Sequence, residues 1–205
     1  MKKARWDVDR EDITLREDKA LLEETLSSEV LYQGILLDVR SDKARLPDGS
    51  VSAREWIKHP GACAVIPVYE DGTIQMIRQF RYPVGRLFME VPAGKIDRGE
   101  AIEKTARREL LEETGLKSDH LAYCGKFYPC IGYSDEVIHV FVAWGLREME
   151  SGLDEDEFVA PVRVSFQEAL KAVREGHLGD AKTICSLTLA AEWWSTHAPF
   201  PVELA

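Results

Sequence analysis

The chain has 205 residues, 45% of them hydrophobic and 30% charged, with a net charge of -10 at neutral pH. That balance fits a soluble globular protein of one domain, or one domain with an extension. A pI near 5.1 argues against a general nucleic-acid surface, and no apolar run approaches the ~20 residues a membrane span needs.

In chain order, "MKKARWDVDRED" carries basic residues but no apolar stretch behind them, so it does not read as a secretory leader. Residues 1–22 are polar and charged, a short helix or a loose arm. From Glu29 the pattern turns to strands. Alternating and β-branched runs flank "LPDGS", where Pro47, Asp48 and Gly49 signal a turn. This β-rich extension ends at Pro60-Gly61. Core strands follow in "ACAVIPVY", "TIQMIRQFRYP" and "LFMEVPA", the first two joined by an "EDG" turn. A helix is expected over Ile102 to Thr114, with Gly115 at its C-terminal end. "LAYCGKFYP" and "EVIHVFVAWGL" read as further strands. The acidic segment "ESGLDEDEFV" separates them from a last strand, "VRVS". The helix "FQEALKAVREG" and a terminal helix, capped by Asp180 and running to Trp194, complete the chain. Mixed strands and helices in this order predict an α/β sandwich. Trp193-Trp194 reads as core or subunit packing.

Cys63, Cys124, Cys130 and Cys185 show no C-x-x-C spacing and sit in apolar runs, which predicts reduced core thiols. The five histidines form no spaced pair suggesting zinc. With no leader and no span, these features point to the cytoplasm.

One stretch, "GKIDRGEAIEKTARRELLEETGL", places four glutamates between Glu103 and Glu113 of an already acidic chain. At ~100° per residue, Glu109 and Glu113 lie only ~40° apart and share an angular sector with Ile102 and Ala106. The carboxylates are therefore not opposite the apolar face, where solvation would put them. Like charges at this spacing repel, and burying them unpaired costs more. A cation is expected there.

The pattern is Gly94, five residues, Glu100, seven residues, then Arg108-Glu109-Leu110-x-Glu112-Glu113-x-Gly115-Leu116. It resembles at every fixed position the Nudix box, the signature of enzymes that hydrolyse a nucleoside diphosphate linked to another moiety. The resemblance implies an α/β/α sandwich with a mixed sheet over 59–205, behind an N-terminal arm and β-rich dimerisation extension over 1–58. A pyrophosphate bridge repels an attacking water. Hard divalent cations, Mg²⁺ first and Mn²⁺ as the alternative, neutralise it and choose oxygen ligands. Glu109 and Glu113 supply carboxylates one turn apart, with Glu112 beside them. By resemblance the main-chain carbonyl of Ala93 also binds metal, Gly94 lets the backbone approach closely, and Arg108 orients the glutamates within the catalytic group.

The similarity extends over roughly residues 28–195. "AREWIKHPGACAVIPV", "IRQFRYPVG", "MEVPAGKIDRGE", the "SDE" after "FYPCIGY", "DEDEFV" and "GDAKTICSL" resemble the ADP-ribose pyrophosphatase branch of that family. This implies a homodimer whose extension reaches over its partner, and hydrolysis of ADP-ribose to AMP and ribose 5-phosphate. In that branch the general base lies outside the box on an acidic loop. Here it falls on Glu155, with a further metal ligand at Glu157 and Glu136 as the alternative base. Arg54 and Arg81 match positions that hold the diphosphate or terminal ribose, and arginine suits that work through bidentate contacts. Where some members carry an aromatic after Gly34, this chain has Ile35; Tyr32 or Trp56 is left to stack on the base. GDP-mannose or ADP-glucose are the alternative substrates. A non-catalytic sensor predicts eroded glutamates and an appended DNA-binding domain, and the sequence has neither.

Overall fold

The computed structural model describes residues 21–149 and 158–204. The chain divides after His59 into two units, with Gly132–Ser134 joining the first.

The first unit is an antiparallel sheet in the order β1 (Glu24–Gln33), β2 (Asp38–Arg45), β3 (Val51–Lys58). The Pro-Asp-Gly turn forms as its residues dictate. Gly49 takes a left-handed φ of 87°, and Ser50 donates N–H and hydroxyl bonds to Asp48 at 2.9 and 2.6 Å. β1 starts at Glu24, earlier than the apolar pattern from Glu29 suggests, because polar residues on an exposed strand leave no periodic trace. All ten β1 residues are exposed. Among the described residues of this unit only Ala44 is a buried hydrophobic. Gly132–Ser134 attaches through the Ile57 N–H, which donates to the Tyr133 carbonyl.

The second unit holds a four-stranded mixed sheet, β7 (Ala93–Lys95)–β4 (Ala62–Pro67)–β9 (Ile138–Glu148)–β8 (Leu116–Phe127). Its β4–β9 pair is parallel and the other two pairs are antiparallel. A three-stranded sheet accompanies it, β10 (Val159–Ser165)–β5 (Thr73–Arg81)–β6 (Arg86–Glu90). β4 is buried at all six positions, as expected of a strand covered on both faces. Ala62, Ala64 and Ile66 join Phe166, Leu187 and Trp194 in one core. Cys63 and Val65 join Ala106, Leu110 and Phe141 in the other. The first core receives α2 (Phe166–Arg174) and α3 (Ala181–His197), the second α1 (Ile102–Thr114). The sheet is thus sandwiched between helices, the α/β/α class expected.

α1 has the predicted bounds. Gly115 closes it with φ 69°, its N–H donating to the Leu111 carbonyl at 2.8 Å. Asp180 caps α3 through the Lys182 and Thr183 N–H groups. Trp194 is core, while Trp193 is half-buried. Of the four cysteines none is in a disulfide, but only Cys63 is fully buried. Cys124 is half-buried but packs against the first core, so the expectation of core thiols holds for Cys63 and Cys124, while Cys130 and Cys185 are half-buried outside the two cores. Burial and the nearby Glu109 push the Cys63 thiol up to about 12.

Candidate active site

The box loop and α1 bring the predicted carboxylates together. Thr105, Ala106, Glu109, Leu110 and Glu113 are the buried residues of α1. Ala106 and Leu110 face the apolar core, which leaves Glu109 and Glu113 against β7. Glu113 is 3% exposed, and its Oε2 accepts the Ala93 N–H at 2.8 Å. Gly94 pairs with Cys63 across β4–β7. A β-carbon at Gly94 would collide with the Glu109 carboxylate, so this glycine is required by close approach.

Arg108 supplies part of the expected positive charge. Its Nη1 donates to Glu109 Oε1 at 2.6 Å and Glu112 Oε2 at 2.9 Å. Nη2 donates to Glu100 Oε2 at 3.1 Å and the Lys95 carbonyl at 3.0 Å, and Nε donates to Glu100 Oε1 at 3.4 Å. One guanidinium thus ties the loop glutamate to two helix glutamates. Hydrogen bonds from Arg108, then from Thr105, hold the Glu100 carboxyl down at about 2. Burial works against the Arg108 charge, but Glu100, Glu109 and Glu112 outweigh it and raise its pKa further.

A second charged cluster adjoins this one, and the sequence reading missed most of it. Glu90 ends β6 and is 1% exposed. Arg81 grips it with two bonds, Nε to Oε1 at 2.8 Å and Nη2 to Oε2 at 2.6 Å. Lys182 Nζ donates to the same Oε2 at 2.9 Å and reaches Asp180 Oδ2 at 3.0 Å. Thr183 Oγ1 accepts the Val91 N–H at 3.0 Å and donates to Asp180 Oδ2 at 2.6 Å. Burial raises the Glu90 carboxyl, but Arg81 and Lys182 prevail and leave it below the ordinary carboxylate range. The hydrogen bond to Glu90 raises Arg81 against its desolvation, helped by the charges of Asp180 and Glu113. The signal for this cluster was present: Glu90 is the one carboxylate in the apolar run "LFMEVPA", and a charge there needs a partner.

Of the other predicted site residues, Arg54 lies on β3 in the first unit, paired with Glu23 at 2.6 Å. Glu136 is half-buried just before β9. Glu155 and Glu157 lie outside the described residues. The strand that follows them, β10, opens with Val159 opposite Gln79, two residues from Arg81.

For a divalent cation the donors present fit. They are two shielded carboxylates one turn apart and the β7 main chain beside them, all hard oxygen. Among the described residues no group of three or more His, Cys, Asp or Glu side chains forms a metal cage, so the described side chains do not by themselves complete a coordination shell.

A sandwich with a carboxylate-bearing helix packed on a glycine-containing strand fits a phosphohydrolase type of site. The NUDIX domain model matches residues 57–187, and the chain belongs to the Nudix family. The model for the nucleoside diphosphate sugar hydrolase N-terminal domain matches residues 23–57. The chain is 44% identical over 167 residues to the ADP-ribose pyrophosphatase of Bacillus subtilis, covering 80% of this chain and 90% of that protein. It is 39% identical over 171 residues to the methanol dehydrogenase activator of Bacillus methanolicus, covering 82% and 92%. Among solved structures, an ADP compounds hydrolase superposes with a TM-score of 0.76 over 88% of this chain and 98% of that one. At 24% identity this likeness speaks to the fold.

Proposed function

We propose that the protein hydrolyses the pyrophosphate bond of ADP-ribose, giving AMP and ribose 5-phosphate, with Mg²⁺ as the working cation and Mn²⁺ as the alternative. The observation that carries this reading is the pair of shielded carboxylates, Glu109 and Glu113, pressed on Ala93 and Gly94 of β7. The kinship to an ADP-ribose pyrophosphatase over most of the chain supports the substrate.

Glu109, Glu113 and the Ala93 carbonyl would hold the cation, with Glu157 as a further ligand. When bound, it neutralises the diphosphate and polarises phosphorus. Arg108 keeps Glu100, Glu109 and Glu112 in register. Arg81, and Arg54 from the extension, hold the diphosphate or terminal ribose. Water adds to one phosphorus, its proton passes to Glu155, and the bridging P–O bond breaks toward the other phosphate. A base off the helix follows from charge: carboxylates committed to a cation are poor proton acceptors. The anchoring of β10 beside the strand that carries Arg81 supports placing that base on the acidic segment. Glu136 is the alternative.

The same reading makes the protein a cytoplasmic homodimer. Support comes from β1, exposed at every residue, in a unit with a single buried apolar side chain among its described residues; a lone three-stranded sheet of this kind needs a covering surface. Sedimentation should give about twice the 23.2 kDa of the chain.

The substrate is tested by a panel of ADP-ribose, ADP-glucose and GDP-mannose with Mg²⁺, scored for phosphate-monoester products. ADP-ribose should lead in kcat/KM. Preference for GDP-mannose or ADP-glucose would keep the chemistry and replace the substrate. The base is tested by Glu155→Gln beside Glu136→Gln: kcat should collapse in the first alone, with KM little changed.

A further inference from the structure

In the Glu90 cluster two cations share one buried carboxylate, and Asp180 is a second carboxylate on Lys182. A carboxylate 1% exposed is fully served by one bidentate arginine. Here Lys182 adds a second cation to the oxygen that Arg81 Nη2 already bonds.

Docking of α3 does not call for this lysine. Asp180 caps the helix through two backbone N–H groups, and Thr183 ties it to β6's continuation through the Val91 N–H. Nor does Lys182 face outward, since its side chain is 15% exposed. Arg81 does: its side chain is 41% exposed, and its Nη1 makes no hydrogen bond among the described residues. Glu90 ends β6 three residues before Ala93, whose N–H donates to Glu113 Oε2 at 2.8 Å, so this cluster adjoins the metal-binding carboxylates.

With Arg81 alone, the whole Glu90 charge would fall on the guanidinium that an incoming anion meets. Lys182 takes a share of that carboxylate, while its second partner, Asp180, is also answered by the Lys182 and Thr183 N–H groups of α3. We propose that Lys182 is a positioning residue for substrate: by sharing the buried Glu90 carboxylate it leaves Arg81 with charge and an open Nη1 edge to offer to the diphosphate of a nucleotide sugar. Asp180 holds the ammonium in place while the α3 N-terminus, through its N–H groups, takes up part of the Asp180 charge. The proposal rests on the nucleotide-sugar reading above.

The test is a mutant cycle on the full chain, using whichever nucleotide sugar the panel shows the wild type to cleave, with Mg²⁺. Lys182→Met should raise KM about tenfold, the size of one lost charge-assisted interaction, with kcat nearly unchanged. Lys182→Arg should recover most of the affinity. In an Arg81→Ala background, Lys182→Met should add little, because its route to substrate is already gone. Additive losses, or a loss confined to kcat, would overturn the proposal.

A substrate-free readout separates this from failure of the functional reading. The Arg81 Nε–Hε resonance should shift in Lys182→Met and return toward wild type in Lys182→Arg. An unchanged resonance would overturn the coupling whatever the substrate proves to be. A panel in which nothing is cleaved would overturn the functional reading, and with it the diphosphate as the anion that Arg81 serves.

Discussion

Two neighbouring clusters in the second unit use the same ingredients in different proportion. Around Arg108, one cation serves Glu100, Glu109 and Glu112. Around Glu90, one buried carboxylate holds Arg81 and Lys182, and Asp180 pairs with the lysine. The first is short of positive charge and composed of hard oxygen, which suits a divalent cation. The second turns a half-exposed guanidinium outward, which suits an anion. A metal diphosphate needs both, side by side. Only the first departs from the neutral pairing that burial favours, with three carboxylates on one cation, whereas the second matches two cations with two carboxylates and leaves one guanidinium half-exposed.

The comparison breaks most sharply at the first cluster. Glu113→Gln and Glu109→Gln keep shape and remove charge, and should cut turnover by about a thousandfold through loss of cation affinity. Melting without metal should stay level or rise, because carboxylate repulsion is relieved. Metal titration by calorimetry together with kcat checks both halves. Gly94→Ala comes next. Its new methyl displaces the end of the Glu109 side chain, so activity should fall about a hundredfold, the scale of a small misplacement in a catalytic group, with little change in melting temperature.

Arg108→Met tests stability. It leaves three carboxylates facing one another without their cation, and should lower unfolding free energy by about 2 kcal/mol, less than for a fully buried pair because the arginine is partly exposed. Added Mg²⁺ should stabilise this variant more than it does the wild type, and thermal scans with and without metal measure the difference. The smallest effect is in acid. Glu100 is held at about 2 in the folded protein, against roughly 4.3 in an unfolded chain. Its contribution is therefore complete above that unfolded value and fades as pH falls toward 2. Glu100→Gln should show a shallower loss of stability across that window in denaturant titrations.

How much of this was legible in the sequence depended on whether the signal was local. The bounds of α1 were, because an apolar stripe and Gly115 specify them within one segment. The Pro47-Asp48-Gly49 turn and the Asp180 cap were legible for the same reason. β7 was not: three residues, Ala93–Lys95, carry no periodicity, and only pairing with β4 makes them a strand. The onset of β8 was also hidden, since the chain passes from Gly115 into a strand without a turn residue. In the site, Glu109 and Glu113 were readable from their spacing. The partnership of Glu90 with Lys182 joins residues 92 positions apart, and only the fold brings them together. "MEVPAG" and "GDAKTICSL" stood out as segments, but nothing within either one names its partner.

The most direct test of the central claim is hydrolysis of ADP-ribose in ¹⁸O-labelled water with Mg²⁺, with the products resolved by mass. AMP and ribose 5-phosphate should form in equal amounts, with one ¹⁸O on the phosphate of one product, as attack at phosphorus requires. Intact ADP-ribose, or release of ADP with the label on ribose, would contradict the claim.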